Sequence, residues 1–318
     1  MVKVIAGLMG SSVASGSSRV ATPEQLRSFL SMLDKHNVRE LDTARVYNNG
    51  KSEECLGQIV DTVSANHFCV ATKAPGFSPG SLAYDNVMRA CKDSLAALKQ
   101  PRLDLYYFHG PDRQTPLEES CRAINQLHQE GLFDRFGVSN FHVDEVTEIV
   151  NICRKNGWIL PSVYQGGYNP LSRGMETDLL PALRKYGMAF YAYSPLGGGF
   201  FSRPIEQLRS PPAGGRMDQM KVFQMIYVND LSLKLLQTLT ETCDKEGLTV
   251  HESTLRWMMH HSLLQKEDGI ILGGSSEEQM EQNLQACEGG SLPKTIVDCF
   301  EDMCQEYQGA GKGLAYSV

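Results

Sequence analysis

Eight short apolar runs, each followed by a helical pattern, predict a (β/α)8 barrel for this chain of 318 residues. Two further observations agree with that fold class. No strand leads into the glycine fingerprint of a doubly wound dinucleotide fold, and polar side chains collect at the ends of consecutive strands.

Taken in order, the first run is VKVIAG (2–7). Thr22 then stands before Pro23 at the head of PEQLRSFLSMLDKHN, a cap followed by proline at the first helical position. The second and third runs are VRELDTA (38–44) and FCVATKA (68–74). SLAYDNVMRACKDSLAALK (81–99) puts Leu82, Val87, Ala90, Leu95 and Leu98 near one helical face. LDLYYFHG (103–110) and DRFGVSN (134–140) are the next strands. VDEVTEIVNICRKNG (143–157) opens with acids and ends in Arg154, Lys155 and Gly157, matching the helix dipole at both ends. PSVYQGG (161–167), MAFYAYSPL (188–196) and GIILGGSS (269–276) complete the set. Such alternation calls for parallel strands joined by right-handed crossovers.

No repeat or linker divides the chain, so residues 1–318 read as one barrel domain. The interval 197–230 departs from the pattern. It holds three consecutive glycines, Pro211-Pro212 and Gly214-Gly215, and is expected to form a long lid loop after the seventh strand. A C-terminal tail is expected over about 306–318.

Composition narrows the function classes. With Lys+Arg 30 against Asp+Glu 37 the formal charge is -7, and no basic run marks a nucleic-acid surface. The opening MVKVIAGLMG is too short to span a membrane and lacks the flanks of a secretion signal, and no later segment is long and apolar enough. Nine scattered cysteines without a C-x-x-C pair point to buried thiols in a reducing cytoplasm, with no disulfide framework and no metal site.

Chemistry gathers at three consecutive strand ends. The second offers Asp42 and Tyr47 (LDTARVY), the third Lys73 inside an apolar run (VATKA), and the fourth His109 (YYFHG). Each residue alone fits a cap, a solvated charge or a packing group. Together, on strands about 4.8 Å apart, they form a site. A neutral phenol donates a proton well only when a neighbouring cation stabilises its phenolate, which Lys73 supplies while pairing with Asp42. His109 is placed to hydrogen-bond and orient a substrate oxygen. Such a group protonates a carbonyl oxygen as hydride reaches the carbon. Glycine-rich GLMGSS (7–12) and GGGF (197–200) match neither a Rossmann nor a Walker pattern, so a nucleotide would have to sit on the βα loops and helix N-termini.

LDTARVYNNGKSEECLG, ATKA, YYFHGPD, FGVSNF, VYQGGYNPL, FYAYSPLGGG and IILGGSSEEQMEQNL, in this order over residues 1 to about 285, resemble an aldo-keto reductase. HQEGLFDRFGVSN, NGWILPSVYQGGYNP and ETDLLPALRKYGM are most similar to the aflatoxin-aldehyde reductase subgroup. The resemblance implies a barrel that binds NADPH/NADP+ without a Rossmann fold. It implies Tyr47 as general acid, Lys73 as its tuning cation, Asp42 as the third tetrad member and His109 as the substrate-orienting histidine. It also implies that Ser139, Asn140 and Gln165 bind the nicotinamide carboxamide and that Tyr193 stacks on its ring. Ser194, Leu196 and Gly198 fall where the loop wraps the pyrophosphate; Gly273, Ser275, Ser276, Gln279, Gln282 and Asn283 fall at the adenosine end.

Two departures stand out. Gly273 and Gln279 occupy positions where many relatives carry a lysine and an arginine for the 2′-phosphate, leaving Arg203, Arg209, Arg216 or Lys221 in the lid as the compensating cation. The tail YQGAGKGLAYSV also differs from the subgroup's usual ending. Arg45, between Asp42 and Tyr47, is expected near the mouth, where it would favour oxygen-rich aldehydes or ketones; Phe77, Tyr84, Phe141 and Tyr227 are candidate apolar walls. The expected partner is a small-molecule carbonyl, and the subgroup resemblance suggests a homodimer. Two other functions share these residues: a nucleotide-sensing regulatory subunit, and a biosynthetic alcohol dehydrogenase running in the oxidative direction.

Overall fold

A computed structural model describes residues 2–9, 22–65, 67–213, 216–274, 276–313 and 316–317. Eight parallel strands close in chain order into a barrel, β1-β2-β3-β4-β5-β6-β7-β8. They are β1 (Lys3–Gly7), β2 (Glu40–Asp42), β3 (Cys69–Ala74), β4 (Leu103–Phe108), β5 (Phe133–Ser139), β6 (Pro161–Gly167), β7 (Ala189–Tyr193) and β8 (Gly269–Leu272). All eight lie within the apolar runs of the sequence, apart from one residue at the start of β5. The (β/α)8 barrel expected from the sequence is the fold observed.

Side chains alternate across the strand walls. Ala6, Leu41, Val70, Tyr106, Phe136, Tyr164, Phe190 and Ile270 join the larger core with the surrounding helices. Ile5, Ala71, Leu105, Tyr107, Val163, Tyr191 and Ile271 form a separate cluster inside the barrel. Below that cluster lies a polar floor. Glu40 accepts from Lys3 (2.6 Å) and from the Tyr191 hydroxyl (3.0 Å), while Arg135 reaches both Glu40 (3.4 Å) and Tyr191 (3.2 Å). Above the cluster, the same inward-facing alternation brings up Asp42, Lys73, Ser139, Gln165 and Tyr193. The strand pattern therefore delivers the chemistry to the C-terminal face.

Helix boundaries follow local signals. Thr22 accepts from the Gln25 amide and Gln25 returns the bond to the Thr22 amide, starting the helix Pro23–Lys35 as a capping box. The helix expected over 81–99 starts later than its periodicity suggests, at Tyr84. Leu82 is spent on the preceding loop: its amide binds Asp112 and its carbonyl accepts from Ser120. Gly157, with φ 65, ends the helix Val143–Asn156 in the left-handed cap expected of it.

The interval after β7 is folded rather than an open loop. It contains the turn Gly197–Ser202 and short helices Ile205–Arg209, Arg216–Gln219 and Lys221–Tyr227. Buried Phe200, Phe201, Leu208, Met217 and Tyr227 anchor it, an apolar content that its glycines and prolines concealed. Nor does the last helix stop short of the expected tail: Lys294–Gly309 runs into it, with Phe300 against Phe201 and Trp257. Among the described residues, no helix is long and apolar enough to cross a membrane.

Candidate active site

Asp42, the last residue of β2, and Lys73, the last but one of β3, form a buried ion pair. The Lys73 ammonium donates to Asp42 Oδ1 at 2.6 Å and to the Thr43 carbonyl at 2.8 Å. Gln165 donates to the other carboxylate oxygen at 2.7 Å. Burial would pull the Lys73 pKa down, but Asp42 and Tyr47 outweigh it and raise it, so the group stays an ammonium. It lies 4.9 Å from the centre of the Tyr47 ring.

A tight turn presents Tyr47. Its amide binds the Ala44 carbonyl, and the following Asn48, Asn49 and Gly50 all take positive φ. Asn tolerates that conformation and Gly favours it, so YNNG reads as a turn sequence. His109 meets Tyr47 edge-on with ring centres 5.7 Å apart, and Phe77 meets His109 at the same distance. Burial, aided by the Lys73 charge, lowers the His109 pKa to about 3. Its imidazole is neutral and can donate one hydrogen bond. All four residues that the sequence grouped are thus brought together.

Beside them, β5, β6 and β7 form a shelf. The Tyr193 hydroxyl donates to Asn140 Oδ1 at 2.8 Å, and Asn140 Nδ2 donates to the His109 carbonyl and to Ser139 Oγ, each at 2.9 Å. These bonds tie Ser139, Asn140 and Tyr193 to the His109 strand. After β7 the Ser194 carbonyl accepts from Asn169, which also binds the Tyr227 hydroxyl, so the folded lid is tied to the turn. Leu196 receives the amides of Gly199 and Phe201. Gly198 has φ 66 under the Phe223 ring, where a Cβ would come within 2.5 Å.

At the β8 end, Ser276 caps the helix Glu277–Glu288 by accepting from the Gln279 amide. Gln279 and Gln282 are exposed there and Gly273 is open. Ser275 lies outside the described residues. Asn283 is instead nearly buried: it binds His251 at 2.6 Å and donates to the Gly273 carbonyl at 3.2 Å. Its side chain braces the loop from below.

Arg45 is held at the Tyr47 turn. Its guanidinium donates to the Gly50 carbonyl and approaches Glu53 and Glu54 at 3.4 and 3.5 Å. Glu53 is fully buried and accepts from Thr72 at 2.6 Å. This carboxylate under the Tyr47 turn escaped the sequence reading, because in KSEECLGQ it looks like a solvated acid of a first helical turn. Among the candidate walls, Phe77 borders the site, whereas Phe141 is buried in the core and Tyr84 sits against Arg122. Tyr227 anchors the lid.

The profile of the aldo/keto reductase family matches residues 3–302. The chain belongs to the aldo/keto reductase family. It is 40% identical over 299 residues to aflatoxin B1 aldehyde reductase member 2 of Rattus norvegicus, covering 88% of this chain and 79% of the relative. It is 37% identical over 283 residues to an aldo-keto reductase of Pseudocercospora fijiensis, covering 86% and 95%. It is 38% identical over 288 residues to oxidoreductase sirO of Leptosphaeria maculans, covering 89% of this chain and 86% of the relative. As an aldo-keto reductase the protein is an oxidoreductase of carbonyl groups, in a family that generally uses nicotinamide cofactors.

Proposed function

We propose that this aldo-keto reductase reduces an aldehyde or ketone to its alcohol with NADPH, using Tyr47 as the acid. The observation that carries this reading is the Lys73 ammonium, held 2.6 Å from Asp42 and 4.9 Å from the Tyr47 ring. A fixed cation beside the phenol stabilises the phenolate left when the proton departs. Neutral His109 donates a hydrogen bond to the carbonyl oxygen, and Tyr47 transfers its proton to that oxygen. When bound, the reduced nicotinamide supplies the hydride that arrives at the carbonyl carbon.

The residues present suit such a cofactor. Ser139, Asn140 and Gln165 offer amide-recognising groups beside the Tyr193 ring. The turn Gly197–Ser202 carries three glycines at positive φ, a backbone suited to turning amides toward an anion, and the helix after Ser276 presents its N-terminus. For the 2′-phosphate, the candidates Arg203, Arg209, Arg216 and Lys221 divide. The Arg203 guanidinium folds back onto the glycine turn, its Nε 3.2 Å from where a Gly199 Cβ would lie. Arg209 and Lys221 are exposed, and the Arg216 side chain lies outside the described residues. Arg203 is our choice.

Phe77 is the apolar wall, suited to flat carbonyl compounds with modest discrimination. Arg45 is assigned to holding the Tyr47 turn on Glu53. The cytoplasm is the compartment that suits nine unpaired thiols.

The test is reduction of an aldehyde panel, followed by the absorbance of the reduced nicotinamide, for wild type and Tyr47→Phe. The expected outcome is a loss of about 10²–10⁴ in kcat with NADPH binding kept. A Tyr47→Phe protein that turns over like wild type removes the assignment.

A further inference from the structure

Tyr47 lies five residues beyond the end of β2, outside the strand ladder. Its distance from Lys73 on β3 is therefore set by the segment 43–50 that carries it. The first turn of the helix Lys51–Gln58 grips that segment at both ends. At the near end, the Thr43 and Ser52 hydroxyls share a buried hydrogen bond of 2.6 Å, and the Thr43 carbonyl accepts from Lys73 at 2.8 Å. At the far end, Arg45 donates to the Gly50 carbonyl at 3.2 Å and pairs with Glu53 at 3.4 Å. Gly50 permits this approach: with φ 89, a Cβ there would stand 2.7 Å from Arg45 Nη1.

Glu53 divides its carboxylate between the two sides. Oε2 faces Arg45 on the loop of the acid, while Oε1 accepts from the Thr72 hydroxyl at 2.6 Å. Thr72 directly precedes Lys73 on β3, so this acid bridges the loop and the strand of the cation. Stability is a weak reason for such an arrangement. Glu53 is fully buried, and apolar packing in place of a buried ion pair is commonly neutral or stabilising.

We propose that Glu53 is a positioning residue that sets the distance between Tyr47 and Lys73, with Arg45 as its arm to the Tyr47 turn. Its effect on turnover rests on Tyr47 being the acid; the clamp itself does not. Misplacing a reacting group by about 1 Å costs up to about 10²-fold in rate. The distance also has a signature in pH. Lys73 favours the phenolate, so a Tyr47 that moves away has a higher pKa. The alkaline fall in kcat, where the acid loses its proton, then moves to higher pH. The ionisable groups around Tyr47 are the Asp42–Lys73 pair, His109 and Tyr193 from the strands, with Arg45, Glu53 and Glu54 from its own loop and the following helix.

Crystal structures, steady-state kinetics and pH-rate profiles of Glu53→Gln, Arg45→Met and the double variant test the proposal. Glu53→Gln keeps the oxygen that Thr72 binds and removes the charge that holds Arg45. Arg45 is half-buried, so Arg45→Met carries the test where Glu53→Gln folds poorly. Each single variant should lose about 10- to 100-fold in kcat with KM for a neutral aldehyde unchanged, and the double variant should lose no more than either. The alkaline limb should move up in pH, and the Tyr47 ring should stand farther from Lys73. An unmoved ring in Arg45→Met overturns the clamp whatever Tyr47 does. A lowered Tm with wild-type kcat and pH limb overturns the positioning role and leaves Glu53 a structural residue. A raised KM for acidic aldehydes with kcat kept overturns it in favour of Arg45 as a substrate contact. Failure of the Tyr47 reading shows separately, as turnover retained in Tyr47→Phe.

Discussion

His109 combines two demands that conflict in water: it must sit against an ammonium and still offer a hydrogen bond. Burial meets both by keeping the ring neutral, with a pKa of about 3. An unfolded histidine titrates near 6.5, so between these values the unfolded chain binds a proton that the folded chain refuses. Stability therefore falls as pH drops from about 6.5 toward 3, by up to about 1.4 kcal/mol per pH unit from this residue. Denaturant titrations across that range should give a flatter acid limb for His109→Gln; an identical limb would rule out the neutral buried imidazole. Lys73 sets the complementary expectation. Lys73→Met leaves Asp42 buried without its cation and Tyr47 without its neighbour, so kcat should fall by about 10²–10⁴ and the pH dependence of reduction should change. Wild-type kcat and pH profile in that variant would contradict the assigned role. Tyr47, Lys73, Asp42 and His109 were legible because a charged or polar residue at the end of an apolar strand is conspicuous. Glu53 was not, since nothing in its neighbours distinguishes a buried acid from a solvated one.

Strands were the easiest elements to read, because short apolar-rich runs of six to nine residues between helices leave few alternatives. Helix starts were harder. Periodicity placed Leu82 on a helical face, and it is buried, yet it belongs to a loop held by Asp112 and Ser120. The interval after β7 hides its helices for a related reason: turn residues dominate its sequence, while a few aromatic side chains decide its fold. The β8 loop shows how one element positions another. Asn283 joins His251 to the Gly273 carbonyl, so its helix holds the loop assigned to the adenosine end. Asn283→Ala should leave that carbonyl unpaired, cost about 1–2 kcal/mol of stability and weaken NADPH binding severalfold. Fluorescence titration of the cofactor gives the check, and an unchanged Kd would dissociate the brace from the site.

Across the whole molecule, the barrel stacks a polar floor, an apolar middle and a polar rim. The floor is an ion network on Glu40. Burial raises the Glu40 pKa, but Lys3 and Arg135 overcome it and the net shift is downward. A lowered carboxylate stabilises the fold above its unfolded pKa, and that contribution is lost as pH falls through the folded value. Glu40→Gln should therefore destabilise the protein by about 1–2 kcal/mol near neutrality, discounted for the half-exposed cations. The gap from wild type should close in acid. Thermal melts at both extremes measure it, and a gap that stays constant with pH would refute the network's contribution.

Sequence alone determined the strand order, the barrel class and which four polar residues meet at the rim, because strand alternation and placement at strand ends are local properties of the chain. Closure of the barrel decided the rest. Only tertiary contacts turned Arg45 toward Glu53, drew Asn283 beneath its loop and folded the interval after β7 on its aromatics. Those outcomes depend on which side chains from distant segments meet, and hydrogen bonds and ion pairs form between neighbours in space.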